Sequence, residues 1–254
     1  MNMLRMEGVC KSFGGLQALK EVSFSIQEGQ ISGIIGPNGS GKTTLFNCIT
    51  GILPLTSGSI YFQETKISGL RADTIANMGI RRTFQAGKLV PSLTVLENVM
   101  CGISRFTAAD GADTFLRPPF VRSRKEGAIQ NEAMEILASL GMGDAADRWA
   151  SDLAWAERQF IQIVRAIVSK PRLLLLDEPA SGMAARETVM VGELIKKIRD
   201  MGITVAVVSH DIKMLMEVAE WVTVLNFGEK IAEGVPERIQ KDPLVLEAYL
   251  GTEE

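Results

Sequence analysis

An α/β protein, with a parallel sheet preceded by antiparallel β-structure and interrupted by a helical insert, follows from three features of this 254-residue chain. A short apolar strand runs directly into the glycine-rich segment 36–43, which opens a helix. Past Arg158, strands alternate with helices, the pattern of a parallel sheet covered on its faces. Between about Leu93 and Trp149, helical spacing stands with little strand character.

In chain order, Val22-Ser23-Phe24-Ser25-Ile26 alternates as a half-buried strand does, Glu28-Gly29 forms a turn, and 31–35 reads as a buried strand. Residues 43–50 read as a helix closed by Gly51, and 59–62 as a strand after the turn residues Thr56-Ser57-Gly58. In the insert, Ala133, Ile136, Leu137 and Leu140 recur at helical spacing up to a Gly141 stop. Arg117-Pro118-Pro119-Phe120-Val121-Arg122 reads as an exposed loop, because paired prolines interrupt regular structure. A helix through Ile161, Val164 and Ile167, a strand at 173–176, a helix at 187–201 and a strand at 203–208 follow. A strand at 221–225, a turn at Phe227-Gly228, a strand at 230–232 and a helix near 245–250 complete the pass, with no internal repeat.

Composition narrows the function. Thirty acidic against 27 basic side chains give a net charge of -3 without any block of like charge, so nucleic acid is not an expected partner. Cys10, Cys48 and Cys101 are widely spaced and form no C-x-x-C pair, which suits free thiols in a reducing cytosol. The first residues, MNMLRMEGVCKSFGG, lack the apolar core of a signal peptide, and no apolar run approaches the ~18 residues of a membrane span. Membrane attachment, if the protein has one, is expected through another subunit.

The chemistry centres on Gly36-Pro37-Asn38-Gly39-Ser40-Gly41-Lys42-Thr43, a complete G-x-x-x-x-G-K-[ST] phosphate loop set between a buried strand and a helix N-terminus. Gly39 and Gly41 let backbone N–H groups turn toward phosphates. The helix dipole adds positive charge, Lys42 pairs with β- and γ-phosphate oxygens, and Thr43 offers a hydroxyl to Mg²⁺. The run LLLLDEP carries Asp177 and Glu178 to the carboxyl edge of a buried strand, where open parallel sheets bind ligands. There Asp177 is expected to hold Mg²⁺ through its water shell and Glu178 to polarise the attacking water. His210, the chain's only histidine, follows the strand 203–208 at the same sheet edge and suits a γ-phosphate sensor that positions Glu178. ATP and Mg²⁺ are therefore the expected ligands.

Together these residues resemble the ATP-binding subunit of ABC transporters over essentially the whole chain. The loop at 36–43 matches Walker A, Gln85 the Q-loop glutamine, 173–178 Walker B with its catalytic glutamate, and His210 the switch histidine. The resemblance implies a single ABC ATPase domain, 1–254, on a P-loop NTPase (RecA-like) core. Residues 1–85 and 156–254 would form the nucleotide-binding core with an N-terminal antiparallel β subdomain, and 86–155 the helical subdomain. It also implies that Phe13 stacks on adenine, that Thr44 joins the loop residues in nucleotide binding, and that Gln85 contributes to catalysis and to the metal. Arg82-Thr83-Phe84-Gln85, the run 93–99, the long helical insert and Ala248-Tyr249-Leu250-Gly251 are similar to branched-chain amino-acid importer ATPases. Related ATPases for urea or amide uptake and for lipopolysaccharide export share this vocabulary. Repair ATPases carry coiled-coil insertions and translation ATPases carry tandem nucleotide domains; this sequence has neither.

The resemblance further implies a dimer in which each ATP lies between the phosphate loop of one subunit and the signature segment, ordinarily L-S-G-G-Q, of the other. Here that segment is Leu153-Ala154-Trp155-Ala156-Glu157. The Ala156 methyl is expected to crowd the γ-phosphate, and Glu157 to bring negative charge toward a polyanion. The D-loop, Ser181-Gly182-Met183-Ala184, also ends without the family's Asp or Asn. These departures imply a heterodimer with a second ATPase subunit whose own signature is intact. A largely regulatory, weakly hydrolysing subunit is the alternative. Transmembrane permease subunits would dock near Phe84, Gln85, Lys88, Leu89 and Val90, holding the protein peripherally at the cytoplasmic face of the plasma (inner) membrane. For Leu89 and Val90, ordinary packing between lobes is an equal alternative.

Overall fold

A computed structural model gives the architecture; residues 1–83, 89–103 and 119–250 are described. They fall into two compact units, one formed by 1–85 with 172–254 and the other by 86–171.

The first unit carries two sheets. β1 (Asn2–Phe13) and β2 (Leu16–Gln27) pair antiparallel, and β4 (Ser57–Phe62) and β5 (Thr65–Lys66) extend them in the order β2-β1-β4-β5. The second sheet takes β3 (Ile31–Ile35), β6 (Ile80–Arg82), β7 (Leu173–Asp177), β8 (Thr204–Val208), β9 (Trp221–Asn226) and β10 (Glu229–Gly234), in the order β10-β9-β3-β8-β7-β6. All its pairs are parallel except β9 with β10, which are joined by the tight turn at Phe227-Gly228. Strands β3, β7 and β8 are buried at every position, as expected for a parallel sheet covered on both faces. Helix Lys42–Ile49 contributes Leu45, Phe46 and Ile49 to a core shared with Leu4, Ile26 and Phe62 of the antiparallel sheet and Ile34, Leu175 and Val208 of the parallel one.

In the second unit, helix Val95–Met100 starts with a reciprocal cap. The Glu97 N–H donates to Thr94 Oγ1 at 3.2 Å, and the Thr94 N–H donates to Glu97 Oε2 at 2.8 Å. The buried Asn98 amide ties down the preceding turn, donating to the Val90, Leu93 and Thr94 carbonyls and accepting the Val90 N–H. Leu89 is buried while Val90 is 42% exposed.

Two expectations change. Pro119-Phe120-Val121-Arg122 are not loop: helix Pro119–Ser139 begins on the second proline, where the missing N–H costs nothing because first-turn donors have no intrahelical partner. Arg117 and Pro118 lie outside the described residues. The chain also returns to the core unit at Arg172 rather than at 156, because helix Trp155–Ile167 packs along Val95–Met100. Gly102 permits that approach, since any Cβ there would stand 2.0 Å from the Arg165 carbonyl oxygen.

Candidate functional site

Strand β3 delivers the chain to Gly36, which has a φ of 153° and a backbone so enclosed that a Cβ would fall 2.0 Å from the Leu225 carbonyl oxygen. At the far end of the loop Gly41, at φ 102°, caps helix Lys42–Ile49 in a left-handed conformation that side-chain-bearing residues rarely adopt. The β9–β10 turn fixes the loop from outside: the Gly228 N–H donates to the Ser40 carbonyl at 3.1 Å, and the Lys20 N–H to the Gly228 carbonyl at 2.8 Å. Inside the loop the Lys42 ammonium donates to the Gly36 and Pro37 carbonyls at 2.7 and 2.9 Å and to Ser40 Oγ at 3.3 Å. Burial lowers the Lys42 pKa, and the charges of Glu178 and Asp177 oppose that shift. Anionic phosphate oxygens, offered in place of neutral carbonyls, are the stronger partners for such a cation.

Asp177 closes the buried strand β7, and its carboxylate is gripped by Arg82 Nη2 at 2.7 Å. Arg82 in turn donates from Nη1 to Asn47 Oδ1 at 2.6 Å and lies 5.5 Å from the centroid of the Phe46 ring. The sequence reading missed Arg82 in this role, because its partners lie in distant parts of the chain. Glu178 comes next, at a φ of 51°, a strained conformation for a residue with a side chain, and its N–H donates to the Val208 carbonyl at 2.8 Å. That geometry turns its carboxylate toward His210: Oε2 lies 2.6 Å from Nδ1 and accepts the His210 N–H at 3.1 Å. With its proton on Nδ1, His210 fixes one oxygen of Glu178 twice and leaves the other for water or a further donor.

A cavity of about 660 Å³ joins these groups. Phe13, Leu16 and Ala18 form an apolar wall, Asn38, Gly39, Gly41 and Lys42 the loop side, and Thr43, Thr44, Glu178 and His210 the remainder. The Lys11 ammonium lies 4.9 Å from the centroid of the Phe13 ring, which stays 44% exposed. A flat ring, converging N–H groups, an ammonium and an oriented carboxylate match a nucleoside triphosphate, in a volume ordinary for ligand pockets. Gly36, Pro37, Ser40 and Asp177 stand behind the lining rather than in it, and Gln85 lies outside the described residues. Among the described residues no three His, Cys, Asp or Glu gather as a metal cage. The Thr43 hydroxyl and the Asp177 carboxylate suit Mg²⁺, which keeps several waters and takes phosphate oxygens.

In the helical unit, Ala154-Trp155-Ala156-Glu157 forms the start of helix Trp155–Ile167. Glu157 Oε2 accepts the Ala154 N–H at 2.8 Å, and its carboxylate pairs bidentately with Arg148 at 2.5 and 3.1 Å. The Arg148 hydrogen bonds hold the Glu157 carboxyl below the usual carboxylate range. Ala156 is only 6% exposed. What this helix N-terminus presents is a carboxylate of its own.

Comparison with known proteins agrees with this geometry. A family model described as ABC transporter matches residues 19–181, and one described as branched-chain amino acid ATP-binding cassette transporter matches 229–254. The high-affinity branched-chain amino acid transport ATP-binding protein LivG of Salmonella typhimurium is 37% identical over 250 residues, spanning 98% of each chain. BraF of Pseudomonas aeruginosa, which carries the same description, is 37% identical over 251 residues and again 98% of each. Among solved structures, the ADP conformation of an ATP-binding cassette of an ABC transporter superposes with a TM-score of 0.86 at 31% identity, over 99% of both chains. A nucleotide-free ATP-binding cassette from an ABC transporter gives 0.85 at 31% identity, over 99% of this chain and 100% of the other.

Proposed function

This chain belongs to the ABC transporter family as an ATP-binding, ATP-hydrolysing subunit, and we propose that it powers import of branched-chain or related amino acids within an asymmetric pair of ATPases. The solute class is supported by the names of its relatives and by the match at 229–254. The observation that carries the asymmetry is Glu157. A helix N-terminus is an anion site, and a carboxylate already bonded into it competes with a partner's γ-phosphate. Arg148 neutralises part of that charge but occupies the carboxylate side of the segment in doing so.

In this reading the adenine lies against Phe13, and the phosphates take the N–H groups of Asn38, Gly39, Gly41 and Thr44, with Lys42 leaving its loop carbonyls for them. Thr43 and Asp177, with Gln85 as the resemblance implies, would hold Mg²⁺, which would neutralise phosphate charge when bound. Glu178, oriented by His210, accepts a proton from the attacking water while His210 also faces the γ-phosphate. Transmembrane permease subunits couple this cycle to transport and hold the chain peripherally at the cytoplasmic face; among the described residues no helix is long and apolar enough to cross a membrane.

Reconstitution with the permease, the second ATPase and a solute-binding protein tests the proposal. Leucine-type solutes should stimulate ATP turnover, and the purified chain alone should turn over far more slowly than the assembly. Brisk turnover by the isolated chain removes the asymmetry. Glu178→Gln should abolish solute uptake; uptake close to wild type would favour the regulatory reading instead.

A further inference from the structure

The two groups suited to Mg²⁺ come from different elements, Thr43 from helix Lys42–Ile49 and Asp177 from the end of β7. One side chain ties those elements together. From β6, which runs parallel to β7 with Arg82 opposite Leu175, the Arg82 guanidinium sends Nη2 to Asp177 Oδ2 at 2.7 Å and Nη1 to Asn47 Oδ1 at 2.6 Å. Asn47 stands four residues after Thr43, about one turn along the same helix face. The Arg82 and Asp177 side chains are buried, and the guanidinium lies 5.5 Å from the centroid of the wholly buried Phe46 ring. The Asp177 N–H donates to Thr83 Oγ1 at 3.4 Å, so the residue after Arg82 holds the backbone of the same strand end. A guanidinium fork is planar and rigid, and its two arms fix a spacing that a flexible ammonium does not.

We propose that Arg82 is a positioning residue for the metal of the nucleotide site: with Asn47 it fixes the helix that carries Thr43 against the strand that carries Asp177, and so fits the pair to Mg²⁺ rather than to a larger cation. The proposal rests on reading Thr43 and Asp177 as groups that hold the ion. Mg²⁺ demands near-ideal octahedral geometry at short distances, whereas Ca²⁺ accepts longer and more irregular coordination. A frame that cannot shift therefore favours the smaller ion. Partners standing behind a metal's direct ligands orient those ligands, and losing one typically costs about 10–100-fold in metal affinity. Arg82 acts through Asp177 and Asn47 and not on the ion. Its charge opposes every divalent cation alike, so charge alone gives no preference between Mg²⁺ and Ca²⁺.

Binding of a fluorescent ATP analogue to the purified full chain, measured in EDTA, in saturating Mg²⁺ and in saturating Ca²⁺, tests this without requiring turnover. Two variants break the frame in different ways. Arg82→Lys keeps a cation beside Asp177 and loses the fork, whereas Asn47→Leu keeps the ion pair and removes the tie to the helix. In both, the gain in analogue affinity on adding Mg²⁺ should fall by about tenfold, as for loss of one orienting partner. The gain on adding Ca²⁺ should change less, and affinity in EDTA should stay at the wild-type value. An undiminished Mg²⁺ gain in both variants overturns the proposal. So does an equal fall for the two ions, which would mark a change in charge or general packing. Weakened binding in EDTA by both variants overturns it too, because the damage would then lie in the phosphate loop. Asp177→Asn measured alongside separates this role from the reading beneath it. A full Mg²⁺ gain in Asp177→Asn removes Asp177 as a metal group, whereas its loss there beside wild-type gains in Arg82→Lys and Asn47→Leu removes only the role given to Arg82.

Discussion

Asp177 lies in an apolar setting, at the end of a strand otherwise made of leucines, with its side chain 7% exposed and that of its partner Arg82 4% exposed. A carboxylate so enclosed needs a cation, and Arg82 faces it directly. Removing one member of such a pair leaves the other charged and dry, so Arg82→Met should lower folding stability by about 3–5 kcal/mol in urea titrations. The double variant Arg82→Met with Asp177→Asn should recover part of that loss, because no uncompensated charge remains. Equal stabilities for the single and double variants would show that the pair does not govern this site. The phosphate loop is legible in the sequence because its parts are contiguous and each residue's chemistry is local. Arg82 is not, since it lies 95 residues from Asp177 and only the parallel pairing of β6 with β7 brings them together.

Helix Trp155–Ile167 presents a consequence at the scale of one element. Glu157 at its third position stabilises the helix start and satisfies the Ala154 N–H, a role that favours folding while, in the proposed pair, it would work against an incoming phosphate. Replacing Glu157 by Gln keeps an acceptor for that N–H and removes the charge. In the reconstituted transporter this variant should raise ATP turnover at the partner's phosphate loop by several-fold, measured as solute-stimulated hydrolysis; an unchanged or lower rate would sink the account of the signature segment. Elements differ in how well the sequence discloses them, for physical reasons. The all-buried strands β3, β7 and β8 stand out as short apolar runs bounded by turns. Strand β1 does not, because register shifts against β2 break its alternation and bury Met3 with Leu4 and Val9 with Cys10 and Lys11. Helices Ala72–Asn77, Ile212–Val218 and Pro236–Ile239 are too short to develop a periodic face.

At the scale of the whole molecule, the two units carry opposite halves of the chemistry. The unit formed by 1–85 with 172–254 holds Lys42, Asp177, Glu178 and His210, while the unit 86–171 holds the segment offered to a partner. In a paired ATPase each composite site joins the first kind of unit from one chain with the second kind from the other. In the proposed pair, the site built on Lys42 would combine an intact phosphate loop with whatever signature the partner brings, and the site built on the partner's loop would meet Glu157. The two sites should consequently respond unequally to the same lesion. Lys42→Ala in this chain should remove nearly all solute-stimulated turnover, because it strips the loop of its cation at the competent site. Alanine at the corresponding loop lysine of the second ATPase should leave a substantial fraction, if that site turns over slowly as proposed. Each assembly is compared for ATP hydrolysis and solute uptake at saturating ATP, with nucleotide binding to the unaltered site confirming that the pair is still assembled. Equal losses from the two substitutions would mean that Glu157 leaves the partner's site as capable as this chain's own, and the functional pair would then be symmetric despite its signature.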